Sequence, residues 1–188
     1  MTARKRCVGS ERTNTHDVEA EMWAAYRNLD AAQRSWLLNE LGEGCYLKFG
    51  PFGVCGGKIT MPLRVWDKVL DLISWPASEP NIFTAQNGSD LFGVEAFAAA
   101  LDSDSPLAVF RTPWALLKFA SKDPWITERI APPGAVVLSA GAWYGIFAKI
   151  TELVCEDRAH AEQLDASIRR SGKQSPPIVW PEREGLGA

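Results

Sequence analysis

Hydrophobic positions along the chain change period several times, and each change predicts an element. Val18, Met22, Ala25, Tyr26 and Leu29 recur at spacings of three and four, the stripe of an amphipathic helix. Asp30 with Gln33 has the residues of a capping box, so a second helix starts there, buries Leu37, Leu38 and Leu41, and ends at Gly42. The two form an N-terminal helical hairpin. From Cys45 the period becomes two, with Cys45, Leu47 and Phe49 on one side of a strand. The turn Gly50-Pro51-Phe52-Gly53 leads to a returning strand from Val54 to Met61. Pro62 suits a first helical turn, and Leu63, Trp66, Val69, Leu70 and Ile73 predict a helix that Pro76 stops. Pro76 to Asp90 reads as a long polar connection, strand-like at Ile82-Phe83-Thr84 and turning at Asn87-Gly88.

Val94, Phe97, Ala98 and Leu101 predict another helix, and Leu107 to Phe110 a strand buried on both faces. Thr112-Pro113-Trp114 and Asp123-Pro124-Trp125 each combine a cap residue, a proline at the first helical position and a tryptophan able to fold back. Ala135 to Leu138, opened by Pro133-Gly134, is a second buried strand. After Gly141, Trp143, Phe147, Ile150, Val154, Ala161, Leu164 and Ile168 share one side, with Asp157 the polar exception. They predict a long helix from Ala142 to Ser171, closed by Arg169, Arg170 and Gly172; unbroken, it would run about 45 Å at 1.5 Å per residue. Pro176-Pro177-Ile178-Val179-Trp180-Pro181 is extended by proline geometry and is expected to dock on its own domain or, as the alternative, on another subunit or protein, with Trp180 as the anchor in either case.

The predicted fold is mixed α/β and helix-rich. A small central sheet of about four to five short strands is flanked by helices, with the helical hairpin at the N-terminus and the long helix near the C-terminus. Residues 1–14 are expected to be a mobile basic arm, 15–171 a single globular α/β domain and 172–188 a proline-rich tail.

Composition narrows the function. The 188 residues carry a net charge of -3 with both signs interspersed, so nucleic acid is not an expected partner. No apolar run is long enough for a membrane span, and the N-terminus lacks the apolar stretch of a signal peptide, which predicts a cytoplasmic protein. Four cysteines without CxxC spacing and two histidines predict reduced thiols and no metal site. Gly53-Val54-Cys55-Gly56-Gly57-Lys58-Ile59-Thr60 departs from a phosphate loop: the first glycine is one residue too close, and Ile59 stands where a Ser or Thr hydroxyl would hold magnesium. Val137-Leu138-Ser139-Ala140-Gly141 supplies only half of a nucleophile elbow. No catalytic set and no cofactor is predicted.

Eight tryptophans are many for this length, and tryptophan is enriched at interfaces. The leading expectation is a non-enzymatic protein-binding module, such as an inhibitor, an immunity-type or a regulatory accessory protein. It would occupy a partner's surface through Trp180, Ile178 and Trp23, and a second copy could pair along the 142–171 helix. The alternative is a small enzyme or small-ligand binder with an anion site at the carboxyl ends of the strands, built on Arg111 as clamp with Thr112 and Ser139.

Overall fold

The computed structural model describes residues 17–122, 125, 132–139 and 144–181. The expected basic arm, the Asp123-Pro124 junction, the start of the expected long helix and the chain after Pro181 lie outside the described residues.

Asp17 caps α1 (Val18–Arg27) by accepting the Ala20 N–H at 3.0 Å. The Asp30–Gln33 box closes in both directions at the start of α2 (Ala31–Phe49). Gly42, at φ 71° and ψ 159°, is non-helical and interrupts α2 where the helix was expected to end, and a second helical stretch continues beyond the kink. Leu41, Cys45 and Phe49 then continue at a spacing of four and are buried, while Leu47 is exposed. The strand expected over Cys45 to Phe49 is therefore the last part of α2.

The first sheet is antiparallel, in the order β1 (Gly53–Cys55), β2 (Lys58–Val65), β3 (Lys68–Pro76), β4 (Thr84–Ala85). The helix expected from Pro62 to Pro76 is instead the β2–β3 hairpin, with Met61 opposite Ile73 and Val65 opposite Lys68. α1 packs on these strands from one side, and the main core covers them from the other. Ile59 to Leu63 and Asp71 to Trp75 are consequently buried at every position. With both faces covered the apolar positions do not alternate, and Leu63, Trp66, Val69, Leu70 and Ile73 fall at helical spacing, so periodicity misleads here. Pro62 is tolerated because β1 ends opposite Thr60 and leaves that part of β2 with one strand neighbour.

The second sheet has the order β5-β7-β6-β8-β9. β5 (Leu91–Phe92) runs antiparallel to β7 (Ala135–Val137); β6 (Leu107–Phe110), β7, β8 (Leu153–Val154) and β9 (Ile178–Val179) run parallel. α3 (Val94–Ser103) follows β5, α4 (Pro113–Ala120) follows β6 and α5 (Arg158–Arg170) follows β8. Side chains alternate between two cores. Leu107, Val109 and Ala135 join α3 and α5 in one, while Phe110 and Val136 join α2, α4 and the first sheet in the other. That double burial is why β6 and β7 read as unbroken apolar runs.

The expected continuous helix over 142–171 is corrected to three elements: a 3-10 helix over Tyr144–Lys149, the short β8 and the 13-residue α5. Asp157, the apparent intruder, is the N-cap of α5 and accepts the His160 N–H at 2.9 Å. A homodimer seam along 142–171 therefore has no continuous helix to follow. The apolar side of α5, with Ala161, Leu164 and Ile168, is also spent inside the second core. The mixed α/β, helix-rich class stands, carried by two small sheets instead of one. Among the described residues no helix is long and apolar enough to cross a membrane.

Candidate functional site

In a largely parallel sheet the ligand crevice opens where successive connections leave in opposite directions. Here β6 leads through α4 to β7 on one side, and β8 leads through α5 to β9 on the other. The reversal falls between the carboxyl ends of β6 and β8. Two helices also begin there: Thr112 caps α4 by accepting the Ala115 N–H at 3.1 Å, with Pro113 in the first turn, and Asp157 caps α5. Both direct the positive ends of their dipoles toward the crevice.

Arg111 leaves β6 at this point and meets Asp157 in a bidentate pair of 2.6 and 2.7 Å. Its main-chain N–H donates to Glu156 Oε2 at 2.7 Å. Asp157 is held well below the ordinary carboxylate range by the guanidinium and by the His160 N–H. The same hydrogen bond raises the pKa of Arg111. The guanidinium assigned from sequence as an anion clamp is thus met by a carboxylate of this chain. Cys155, beneath it, has its thiol pushed up to about 12 by burial, so it is protonated and weakly reactive.

Ser139 belongs to a different cluster. Its hydroxyl donates to Asp90, the residue before β5, at the outer side of β7. Arg111 and Thr112 are brought together with Glu156, Asp157 and His160, a grouping that sequence reading missed because it ran one helix through all three. The available signal was Asp157 three residues before His160, the spacing of an N-cap and the N–H it accepts.

His160 is buried, and its Nδ1 stands 3.5 Å from Glu156 Oε2 without a hydrogen-bond partner. Burial lowers its pKa from 6.5 to about 4, with the Arg111 charge acting in the same direction and Asp157 opposing it. The unfolded chain takes up this proton near pH 6.5 and the folded protein only near pH 4. Between those values falling pH favours the unfolded state, so stability present at neutrality is lost on acidification, by about 2 kcal/mol. Urea midpoints from pH 7.5 to 4.5 should fall for the natural protein and much less for His160→Gln.

The tryptophans divide into two groups. Trp36 stacks on Trp114 at 5.4 Å, and Trp75, fully buried, meets Trp114 at 6.0 Å. These three tie α2, α4 and β3 together. Trp23 is 44% exposed, edge-on to Tyr26, and Trp180 is 37% exposed after β9. Ile178 is half-buried against the second core, and its strand pairs with β8. Trp66, expected on a buried helical stripe, is instead 68% exposed at the β2–β3 hairpin tip. It adopts φ 55°, in the left-handed region that a bulky L-residue rarely enters. The Glu95 carboxylate, buried in the first turn of α3, accepts the Trp66 N–H at 2.6 Å and holds the turn.

No family model matches this chain, and no curated protein does. Among solved structures, the zinc-binding and RNA polymerase domains of the Aquifex aeolicus primase are similar at 13% identity and a TM-score of 0.44, over 89% of this chain and 51% of that one. The chain thus spans about half the length of that protein, and a likeness at this level carries no argument about what this chain does.

Proposed function

We propose that this protein is a non-enzymatic binding module that occupies the surface of a partner protein, with the β2–β3 hairpin tip as contact and Trp66 as anchor. The observation that carries the reading is the combination of exposure and backbone cost at one residue. A two-residue hairpin turn beginning in the left-handed region is most stable with glycine at that position. Tryptophan there costs about 1 kcal/mol in backbone conformation and leaves an indole mostly in water, which the fold itself does not require. A buried carboxylate then fixes the turn that displays it. Local strain at an exposed aromatic is what a preformed interface anchor needs, because order present before binding is not lost on binding.

Other exposed apolar side chains fit this reading. Leu70, on β3, and Leu47, on α2, are exposed apolar side chains. Trp23 follows Met22, whose sulfur touches the guanidinium of Arg64, two residues before Trp66. The strand-end cluster is consistent with binding without catalysis, since Arg111 and Asp157 satisfy each other and Cys155 is a protonated thiol. The buried thiols Cys45 and Cys155 lie outside any disulfide, in keeping with a cytoplasmic setting. Trp180 and Ile178 form a separate apolar edge at β9.

Trp66→Gly tests the proposal. The variant should be as stable as the natural protein or more so, by up to about 1 kcal/mol. A stoichiometric protein retained from the native host through a salt wash should be held at least tenfold more weakly, on the order of 1.4 kcal/mol of anchoring lost. Undiminished retention by Trp66→Gly, or release by Trp180→Ala alone, moves the contact away from the hairpin and overturns the assignment. Absence of any stoichiometric protein with the natural chain overturns the reading altogether.

A further inference from the structure

The second sheet ends on an open edge. Among the described residues β9 has only β8 as a strand neighbour, and it turns the carbonyls of Pro177 and Val179 toward β8, where they accept the Leu153 N–H at 2.9 Å and the Cys155 N–H at 2.8 Å. Main-chain groups alternate along a strand, so the N–H and C=O of Ile178 and of Trp180 point away from the sheet. The flanking prolines leave these donors in place, because Pro177 and Pro181 share the inward set with Val179. Natural edges are usually blunted by charge or covered by another element, whereas this one carries Ile178, Val179 and Trp180.

We propose that this edge, with the groove between β9 and α5, is a docking site for an extended peptide segment of a partner protein, which adds as an antiparallel strand and lays a lysine or arginine side chain in the groove. The site is separate from the Trp66 hairpin. A peptide residue set opposite Ile178 donates to its carbonyl and accepts its N–H, and the residue two positions away does the same for Trp180. Their side chains fall on the side of the sheet that Ile178 shares with α5. There a cavity of about 280 Å³ lies between the two elements, with Pro176, Ile178 and Trp180 on one wall and Glu162, Asp165 and Arg169 on the other. The Ser175 hydroxyl donates to the Asp165 carbonyl oxygen at 3.4 Å and ties the start of β9 to the helix.

Charge decides which side chain enters. Asp165 is answered within the groove, both its oxygens accepting from Arg169 Nε at 2.9 and 2.8 Å. Glu162 is answered from outside it: Arg158, one turn earlier on α5, meets it at 2.8 Å, and an exposed pair of this kind contributes little. The groove therefore carries an excess negative charge at Glu162, beside the apolar side chains of Ile178 and Trp180. A lysine or arginine complements that arrangement, with its methylenes along the apolar wall and its cation near Glu162 and the indole. An acidic side chain in the same place would meet like charge, and a peptide without a strand conformation would leave Ile178 and Trp180 unpaired.

The probe is the peptide acetyl-Thr-Val-Lys-Val-Thr-amide, titrated into the full chain at low salt while the main-chain amide signals are followed by NMR. Saturable shifts at Ile178 and Trp180, with a dissociation constant on the order of 100 μM, and slowed hydrogen exchange of those two amides are expected. Methylating the main-chain nitrogen of the peptide's lysine removes a ladder donor and should weaken binding by about tenfold or more. Methylating the nitrogen of the valine after it, which points away from β9, should leave binding nearly unchanged. A peptide with glutamate in place of lysine should bind about fivefold more weakly, and the exposed substitution Glu162→Lys should reverse that order. Trp66→Gly should bind the peptide as the natural protein does, which keeps this test apart from that of the hairpin. Equal losses from the two methylations, or equal binding of the lysine and glutamate peptides, overturn the inference, as does the absence of a saturable shift at Ile178 and Trp180. Slow exchange of both amides before any peptide is added means that a second copy or the chain itself already covers the edge, and overturns it as well.

Discussion

Gly93→Ala is expected to destabilise the protein by about 4 kcal/mol, read as a lowered urea midpoint at unchanged slope. Gly93 connects β5 to α3 with φ 89°, a conformation that alanine adopts only under strain. A β-carbon built there would lie 2.1 Å from the Gly134 carbonyl oxygen and 3.0 Å from the Ala135 Cα. Both are main-chain atoms at the start of β7, and they cannot yield by changing rotamer. Gly134 is itself pressed against Ala108, its own absent β-carbon falling 2.6 Å from the Ala108 carbonyl oxygen. Relief would therefore require β5, β7 and β6 to move together, or α3 to start elsewhere. The second course shifts Glu95, two residues on, off the Trp66 N–H. Partner retention should weaken in the fraction of Gly93→Ala that still folds, which couples the centre of the second sheet to the displayed hairpin. A loss below 1 kcal/mol would show that the β5–α3 junction is softer than this packing implies.

Elements with punctuation on both sides were legible in the sequence. β6 and β7 are short apolar runs bounded by turn formers, and the capping box at Asp30 and Gln33 and the Thr112-Pro113 start form as their residue types dictate. Where the sequence misled, a tertiary fact had removed the signal. β2 and β3 are covered on both faces, so alternation vanished, and the apolar residues left between Arg64, Asp67, Lys68, Asp71 and Ser74 fell at helical spacing. The hairpin tip carries Trp66-Asp67 in place of the glycine or asparagine that would have marked it. That substitution hid the turn, and it is also the feature the functional proposal rests on. A residue chosen against local preference cannot announce the local structure it disturbs.

The strand-end cluster shows the same division. Arg111 and Thr112 could be placed at the end of β6 from the run preceding them and the proline following. Asp157 and His160 could not be joined to them, because an N-cap aspartate inside a long apolar periodicity looks like a tolerated polar residue on a continuing helix. The break costs the helix little: β8 gains pairing on both sides, with Leu153 opposite Leu107 and Ile178, and α5 restarts with a charged cap already paired to Arg111. Sequence periodicity carries the burial of Phe147, Ile150, Ala161, Leu164 and Ile168, while in β8 Leu153 is buried in place of the expected Val154; burial alone does not distinguish one element from three.

Asp71→Ala should cost about 4 kcal/mol as well, for a different reason. Asp71 is completely buried in β3, yet it answers no cation; its carboxylate accepts three main-chain N–H groups, from Leu72 at 2.6 Å, Asn87 at 2.8 Å and Ser89 at 2.9 Å. Those bonds fold the connection after β4 back onto the sheet through the Asn87-Gly88 turn, with Gly88 at φ 79°. Hydrogen bonds to a charged acceptor contribute about 1.5–3 kcal/mol each, and removing the acceptor strands buried donors that water reaches only if the loop opens. Opening the loop limits the loss, so about 4 kcal/mol is expected in place of the full sum. Asp71→Asn separates charge from shape, since it keeps one acceptor oxygen but turns an NH2 toward an N–H that also donates. It should recover less than half of the loss. Hydrogen exchange locates the effect: the amides of Asn87 and Ser89 should exchange far faster in Asp71→Ala, while those of α5 in the second core keep their protection relative to global stability. Equal acceleration everywhere would mean that the turn is no separate unit and that Asp71 supports the whole first sheet.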